Sequence, residues 1–244
     1  MRDIIPQPVY DAIWAHLTQG ARNAVSGWDD ASEDEDTLTG DFGALLRIEW
    51  SRPIAADGET WRWRVRYKKF RGRGGGALER ETGADGIFQI EVTRGDEKAF
   101  KGLLFQAKKL GGSNGRLSPQ VERMESLAPG SSAVFEYGPP VYRAASGQGY
   151  LQAGSPSLRH KAPNLRPLDS FLGDEFLPCN AGHRGLYYDA LRGLLLLPTG
   201  TALRVSVRHR VTIEAEEFRR NDVETRSSRR GRKPPRAGRR RRKE

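Results

Sequence analysis

The first part of the chain changes from helical to strand-like spacing of its apolar residues. Between residues 8 and 23 they recur at steps of three and four, which predicts an amphipathic helix. The acidic segment 29–36 precedes a second predicted helix around residues 38–48, where carboxylates favour the helix N-terminus. Residues 61–70 then alternate apolar with basic positions, which predicts a strand with one buried and one cationic face.

The middle of the chain has the pattern of a β-hairpin followed by a helix and another strand. Two apolar runs flank a polar turn at residues 93–98. The resulting order of helix, three strands, helix and strand predicts one α/β domain over residues 1–218. The remaining predicted elements are strands at 86–92, 101–108, 132–137 and 203–213, helices at 119–127 and 186–197, and a long loop at 146–166.

The hairpin determines which polar residues share a face. A turn centred midway between the two strands pairs Asp85 with Gln106. Because strand side chains alternate with period two, Gln106 and Lys108 share one face, while Phe105 and Ala107 point into a core on the other. A register shift of one residue would remove this coincidence.

Asp85, Gln106 and Lys108 together have the chemistry of a phosphodiesterase. Carboxylate and amide oxygens are hard ligands suited to Mg²⁺ or Mn²⁺. The Lys108 ammonium can approach the attacking water or the scissile phosphate and offset developing charge. Alternatively, each piece is structural, with Asp85 starting a strand and the other two residues on a solvated strand end.

These residues resemble the PD-(D/E)XK, or restriction endonuclease-like, nuclease superfamily, in the Mrr-like form that has Gln in place of the acidic residue. The resemblance implies a mixed central sheet flanked by helices, with Asp85 and Gln106 as metal ligands and Lys108 assisting the attacking water. It also implies a further metal-binding carboxylate from an N-terminal helix, for which Glu35 is the candidate. Ala84 occupies the position of the name-giving Pro, and the neutral Gln106 weakens metal binding.

The resemblance covers roughly residues 33–137. Residues 79–85 also resemble segments of nucleases from bacterial anti-phage defence, and Gln120, with Glu122 or Glu125, resembles the polar residues that line such sites. It implies a Mg²⁺- or Mn²⁺-dependent endonuclease that cuts DNA as the effector subunit of a defence complex with a protein partner. Two alternatives stay open: an inactive nucleic-acid-binding or scaffold subunit of the same fold, and a ribosome- or RNA-associated protein.

The charge of the chain is concentrated in its last residues. Residues 219–244 contain 13 Lys or Arg and 3 acidic residues, which accounts for the net charge of +10, so residues 1–218 are neutral. We expect a disordered arm that binds polyanions, DNA more than RNA. The expected nucleic-acid contacts are Arg71, Arg73, Lys109, Arg239, Arg240, Arg241 and Arg242.

The sequence also indicates where the protein acts. It has no run of eighteen apolar residues, and its first residues have no apolar core typical of a signal peptide. The single Cys179 cannot form an internal disulfide, which agrees with a reducing compartment. We therefore expect a cytoplasmic protein without membrane contact.

Overall fold

The computed structural model of the chain describes residues 1, 3–31, 34–70, 81–111, 115–153, 165–205 and 207–218. The predicted basic arm at 219–244, residues 71–80 with Arg71 and Arg73, and residues 154–164 of the predicted loop lie outside these residues.

The helices agree with the predicted pattern in the first part of the chain. The helix predicted at 8–23 is confirmed. The next one begins before residue 38 because the Asp34 side chain caps it, accepting a hydrogen bond from Thr37 N at 2.7 Å. The helical segments are Gln7–Ala24 (α1), Trp28–Ala31 (α2), Glu35–Leu45 (α3), Leu117–Leu127 (α4), Gly147–Gln152 (α5) and Leu168–Ser170 (α6), with a 3₁₀ turn at Val25–Gly27 and a π-helical turn at Phe171–Phe176.

The strands form one large sheet and one small sheet. Their bounds are Ile54–Ala56 (β1), Glu59–Lys69 (β2), Gly86–Arg94 (β3), Glu97–Lys109 (β4), Ser132–Tyr137 (β5), Arg143–Ser146 (β6), Arg166–Pro167 (β7), His183–Arg184 (β8), Tyr187–Asp189 (β9), Leu194–Leu196 (β10), Ala202–Arg204 (β11) and His209–Glu217 (β12).

The large sheet is mixed and has nine strands in the described part of the chain. Its order is β1-β2-β12-β3-β4-β5-β6-β7, and β8 also pairs with β4. β12 runs parallel to β3, and β4 runs parallel to β5, whereas the other neighbours are antiparallel. The predicted α/β class with a mixed sheet and flanking helices is therefore confirmed.

The β3–β4 hairpin has the predicted register. Gly86 pairs with Phe105 and Ile87 with Leu104, so Asp85, directly before β3, lies opposite Gln106. Phe105 belongs to the core under α1 and α3, and Leu104 to a second core on the other face under α4. Both faces of the hairpin are therefore covered, and its polar residues are accessible only at the strand ends.

Two predictions for the last third of the chain are wrong. Residues 186–197 form the β9–β10 hairpin instead of a helix, because Asp189 accepts hydrogen bonds from Leu191 N and Arg192 N and Gly193 has a φ of 65°. The strand predicted at 203–213 is divided between β11 in the small sheet and β12 in the large one.

The position of β12 also changes the role of the basic strand β2. β12 separates β2 from the β3–β4 hairpin, and its glutamates face the β2 arginines. Arg62 pairs with Glu216, and Arg64 pairs with Glu214. Arg62 and Arg64 of this basic face are therefore engaged in ion pairs between strands, and β2 is an inner strand of the sheet and not its edge.

Among the described segments, no helix is long and apolar enough to cross a bilayer.

Candidate active site

Asp85 is fixed at the junction of three strands. Its N–H donates to the Phe105 carbonyl at 2.9 Å, and its own carbonyl accepts from His209 N at 3.2 Å. Its carboxylate Oδ2 accepts from Gln106 Nε2 at 2.6 Å and from Ala107 N at 2.9 Å. The carboxylate is therefore held against the β4 residues with which the sequence predicted it to act.

Two glycines let the backbone reach this position. Gly83 has a φ of 73°, and a Cβ atom there would lie 2.2 Å from the Gln120 carbonyl oxygen. A Cβ at Gly86 would lie 2.5 Å from the His209 carbonyl oxygen. Any larger residue at either position would push Asp85 away from its partners.

The Gln106 side chain is almost completely buried, with 1% of its surface exposed. Its amide nitrogen donates to Asp85, while its carbonyl Oε1 has no hydrogen-bond partner among the described residues. A buried amide oxygen without a partner is unfavourable. The site therefore contains an oxygen donor with unused capacity next to a carboxylate.

Glu35 reaches the same strand end from α3. It lies in the first turn of that helix, where the helix dipole favours a carboxylate. Glu35 Oε1 accepts from Lys109 N at 3.2 Å, and Oε2 lies 3.7 Å from Lys108 Nζ. The structure therefore brings Glu35 to Lys108 and Asp85 to Gln106.

A cavity of about 280 Å³ lies between α3 and the strand ends. Asp85 and Glu35 both line it, whereas Gln106 and Lys108 contact these two carboxylates from outside its wall. Two of the four predicted catalytic residues thus line the cavity, and each of them contacts one of the other two. The described lining residues are Asp34, Glu35, Asp36, Thr39, Asp85, Arg208 and His209.

A buried histidine network forms another wall of this cavity, and the sequence analysis did not identify it. His209 Nε2 lies 2.7 Å from Asp36 Oδ1, and His209 Nδ1 lies 2.9 Å from the Tyr67 hydroxyl. Asp36 also pairs with Lys69 at 2.5 Å and with Arg208 at 3.7 Å. Asp36 is therefore a bridging residue and not a solvated cap like Asp34.

The protonation of this network follows from burial and charge. Burial lowers the pKa of His209 below its ordinary value, despite the opposing effect of Asp36. Burial alone would raise the pKa of Asp36, but hydrogen bonds from Lys69 and His209 bring it below its ordinary value. Burial raises the pKa of Tyr67 to about 12. At neutral pH a neutral His209 therefore donates to the charged Asp36 and accepts from Tyr67.

Glu136 is a second residue that the sequence analysis missed. It lies on β5 directly beside Lys108 in the sheet register and is almost completely buried. Burial raises the pKa of its carboxyl group, which Arg143 partly offsets. Its position in an apolar strand, Ser132–Tyr137, offered no sequence signal because parallel strand pairing is not local.

The polar residues expected from α4 lie in different places. The Gln120 backbone packs against Gly83, close to Asp85, and Glu122 is exposed. Glu125 accepts hydrogen bonds from Gly130 N at 2.8 Å and from Ser132 Oγ at 2.6 Å. The expected role of Glu125 in lining the site is therefore wrong, because its carboxylate holds the turn before β5.

Of the predicted nucleic-acid contacts, only Lys109 belongs to the described residues. Its ammonium lies 5.6 Å from the centre of the Trp28 ring, beside the end of β4. Arg71, Arg73, Arg239, Arg240, Arg241 and Arg242 lie outside the part of the chain that the structure describes.

The carboxylates of Asp85 and Glu35 line the cavity, and they are oxygen donors of the kind that a hard divalent cation such as Mg²⁺ takes. Mg²⁺ is usually held by one or two carboxylates and keeps several waters for substrate phosphates. The unpartnered Gln106 Oε1 is buried outside the cavity wall. Within the described ranges, no three His, Cys, Asp or Glu side chains form a metal-binding group by themselves. Waters or substrate oxygens would therefore complete the coordination.

No protein-family model matches the chain, and no curated protein or solved structure is significantly similar to it.

Proposed function

We propose that this protein is a divalent-metal-dependent nuclease that hydrolyses phosphodiester bonds in DNA. The observation that carries the proposal is that Asp85 and Glu35 line one cavity, where Asp85 contacts Gln106 and Glu35 contacts Lys108. Helix α3 and the β3–β4 hairpin, which are distant in sequence, supply these residues. Only the folded chain therefore brings them together. An acidic cavity with an adjacent ammonium group has the chemistry that phosphate-ester hydrolysis requires.

In this proposal each residue has one task. Asp85, Gln106 and Glu35 hold Mg²⁺ or Mn²⁺, which when bound neutralises phosphate charge and lowers the pKa of a coordinated water. Lys108 orients the attacking water and stabilises the charge that develops on the phosphate. Arg208, in the cavity wall, attracts the substrate phosphate.

The resemblance to the PD-(D/E)XK superfamily supports this proposal through the Asp85 and Gln106-Ala107-Lys108 residues and the α3 carboxylate. We accordingly propose a restriction endonuclease-like core in its Mrr-like form. The proposal includes a cytoplasmic role as the effector subunit of a bacterial anti-phage defence complex, with a protein partner that directs cutting.

A second candidate function is nucleic-acid binding without cleavage. One observation favours it: the Glu35 carboxylate is already paired with Lys108 and accepts from Lys109 N. The neutral Gln106 also adds no charge to attract a metal. Such a protein would bind DNA with the same affinity whether or not a divalent ion is present.

Plasmid cleavage tests the two candidates. We expect the intact protein to cut plasmid DNA with Mn²⁺, and Asp85→Asn and Lys108→Met to lower the rate by about 100-fold or more, because each removes charge from the reacting centre. Lys98→Met is the matched control, since Lys98 lies at the opposite end of the hairpin and pairs with Glu91 at 3.8 Å.

Both site variants should bind DNA about as well as the intact protein in EDTA. Cleavage that both variants retain would refute the proposed site. Binding without any metal-dependent cleavage by the intact protein would favour the second candidate.

A further inference from the structure

A second cavity lies outside the candidate active site, between β2, β12 and the β9–β10 hairpin. Its volume is about 570 Å³, within the range of roughly 300–1,000 Å³ that small-molecule sites occupy. We call it the cationic groove, because its wall includes Arg47, Arg66, Lys68 and Arg210.

The most informative residue of the cationic groove is Arg210. Its guanidinium group is half-buried, and among the described residues it forms no hydrogen bond or ion pair. The centre of the Phe70 ring lies 5.6 Å from Cζ, and Glu91 and Asp189 act on the Arg210 charge only through space. Burial lowers the pKa of Arg210, and these favourable charges offset the shift only in part. A partly desolvated guanidinium facing a cavity is a site for an anionic ligand.

The acidic residues around the groove compensate this charge only in part, because their carboxylates are engaged elsewhere. Asp189 directs its carboxylate to Leu191 N, Arg192 N and the Arg192 side chain. Glu91, beneath the groove, accepts from the Tyr187 hydroxyl at 3.4 Å and lies 3.8 Å from Lys98. Glu49, also in the wall, is exposed to solvent.

The other cations of the groove extend its charge. Arg66 forms an ion pair with Glu214. The nearby Arg64 and Arg210 repel the charge of Arg66. The Lys68 ammonium lies 4.9 Å from the Phe70 ring centre, so Lys68 and Arg210 both contact this ring. Lys68 and Arg210 are also register partners on neighbouring strands. Two adjacent cations can therefore bind one phosphate group.

The opposite wall is apolar and aromatic. Leu191, at the tip of the β9–β10 hairpin, is 100% exposed, and it lines the groove with Ala190 and Tyr187. The fully exposed Leu191 and the Tyr187 ring, whose centre lies 4.4 Å from that of Phe100, offer surface for a planar apolar group. The groove thus combines a phosphate-binding wall with a wall suited to a nucleobase.

We propose that the cationic groove binds a nucleotide, with its phosphate on Arg210 and Lys68 and its base against Tyr187 and Leu191. The nucleotide is either a free molecule or one unit of a nucleic-acid strand. This binding goes beyond the proposed cleavage reaction and does not depend on it. Arg210 directly follows His209 on β12, so their side chains point to opposite faces of the sheet, and the groove lies on the other face from the candidate active site.

Calorimetry with the full chain in EDTA tests the proposal, using thymidine 3′,5′-bisphosphate, inorganic phosphate and an oligothymidylate as probes. Moderate salt suppresses the non-specific contribution of the basic C-terminal residues. We expect Arg210→Ala to weaken bisphosphate binding by about tenfold or more, as for loss of a charge-assisted hydrogen bond. Leu191→Ala should weaken it about threefold. Arg52→Ala, which removes an exposed cation outside the groove wall, is the matched control.

The results distinguish a free nucleotide from a nucleic-acid strand as the ligand, and they test nucleotide binding separately from the cleavage proposal. Bisphosphate binding that depends on Arg210 supports a free nucleotide, and dependence seen only with the oligothymidylate supports a strand. Binding that Arg210→Ala and Leu191→Ala leave unchanged overturns the proposal, as does inorganic phosphate binding as tightly as the bisphosphate. Asp85→Asn should lose cleavage but retain nucleotide binding, so either proposal can fail without the other. Leu191 is fully exposed, so its substitution tests the groove without affecting folding.

Discussion

The candidate active site and the cationic groove differ in how far their charged side chains are paired within the protein. In the site, Glu35 pairs with Lys108, and Asp36 pairs with Lys69 and His209. In the groove, the half-buried Arg210 lies beside the Phe70 ring, and Glu91 and Asp189 offset its loss of hydration only in part. The site is therefore balanced within the protein, whereas the groove has an excess of positive charge that an external anion can neutralise.

This difference has a consequence for the order of binding. A cation that enters the site must compete with Lys108 for the Glu35 carboxylate, so metal binding by the protein alone is expected to be weak. An anion that enters the groove displaces no internal partner of Arg210. We infer that a substrate phosphate strengthens metal binding, because it adds ligands and negative charge at the site.

The largest expected effect is the loss of stability when a glycine with a positive φ is substituted in each of the two regions. Gly83→Ala should lower the free energy of unfolding by about 3 kcal/mol, because both the positive φ and the nearby Gln120 carbonyl exclude a side chain. Gly193→Ala, in the groove hairpin, should cost only about 1 kcal/mol, since its φ is also positive but the nearest atom would lie 3.9 Å away. Urea unfolding measures both, and equal losses would contradict a tightly constrained site.

The next largest expected effect is the loss of stability when a negative charge is added to the candidate active site. Gln106→Glu places a carboxylate against Asp85 and should cost about 1–2 kcal/mol in EDTA, because like charges repel and the amide hydrogen bond is lost. Excess Mg²⁺ should restore this stability, since the cation neutralises both carboxylates. Thermal unfolding with and without Mg²⁺ measures the difference. A loss that Mg²⁺ does not change would argue against a metal between these side chains.

A paired and an unpaired arginine give a similar contrast in the groove region. Arg64→Met should cost about 1–2 kcal/mol, because Arg64 Nε donates to the buried Glu214 at 2.6 Å. Arg210→Met keeps an apolar stem against Phe70 and removes a charge that burial disfavours, so stability should be unchanged or rise by up to about 1 kcal/mol. A loss for Arg210→Met as large as that for Arg64→Met would show that Arg210 has a stabilising partner.

The smallest effect is a pH dependence that the site has and the groove lacks. Because burial lowers the pKa of His209 below its ordinary value of 6.5, the unfolded chain takes up a proton first as pH falls. Stability should therefore decrease below about pH 6.5, by at most about 1.4 kcal/mol per pH unit for one proton. Asp36, whose pKa is lowered, contributes only in a separate window at more acidic pH.

His209→Gln is the variant that isolates this contribution. Glutamine can still donate to Asp36 and accept from Tyr67, but it does not titrate. Chemical unfolding at a series of pH values should show a smaller slope between the ordinary histidine pKa and more acidic pH. An unchanged slope would assign the pH dependence to another group.

The sequence determines local features of the fold well. The β3–β4 hairpin and its register were predictable, because a short turn joins two apolar runs and their pairing follows by counting. Helix α1 was predictable from its apolar period. The pairing of Asp85 with Gln106 follows from the same local turn.

Contacts between distant segments were not predictable. Nothing in residues 209–217 indicates that this strand inserts between β2 and β3, because partner choice in a sheet depends on packing across the whole chain. The His209 network therefore escaped detection, as it joins Asp36, Tyr67 and Lys69 from separate elements. Glu35 was a candidate only through the family resemblance.

The most direct test of the central claim is the location of Mn²⁺ in crystals of the full protein, determined from its anomalous scattering. We expect a single strong peak in the cavity between α3 and the β3–β4 hairpin, with oxygens of Asp85, Gln106 and Glu35 as protein ligands. This peak should disappear in Asp85→Asn. A Mn²⁺ ion bound by other residues, or a peak that persists in Asp85→Asn, would refute the proposed metal site.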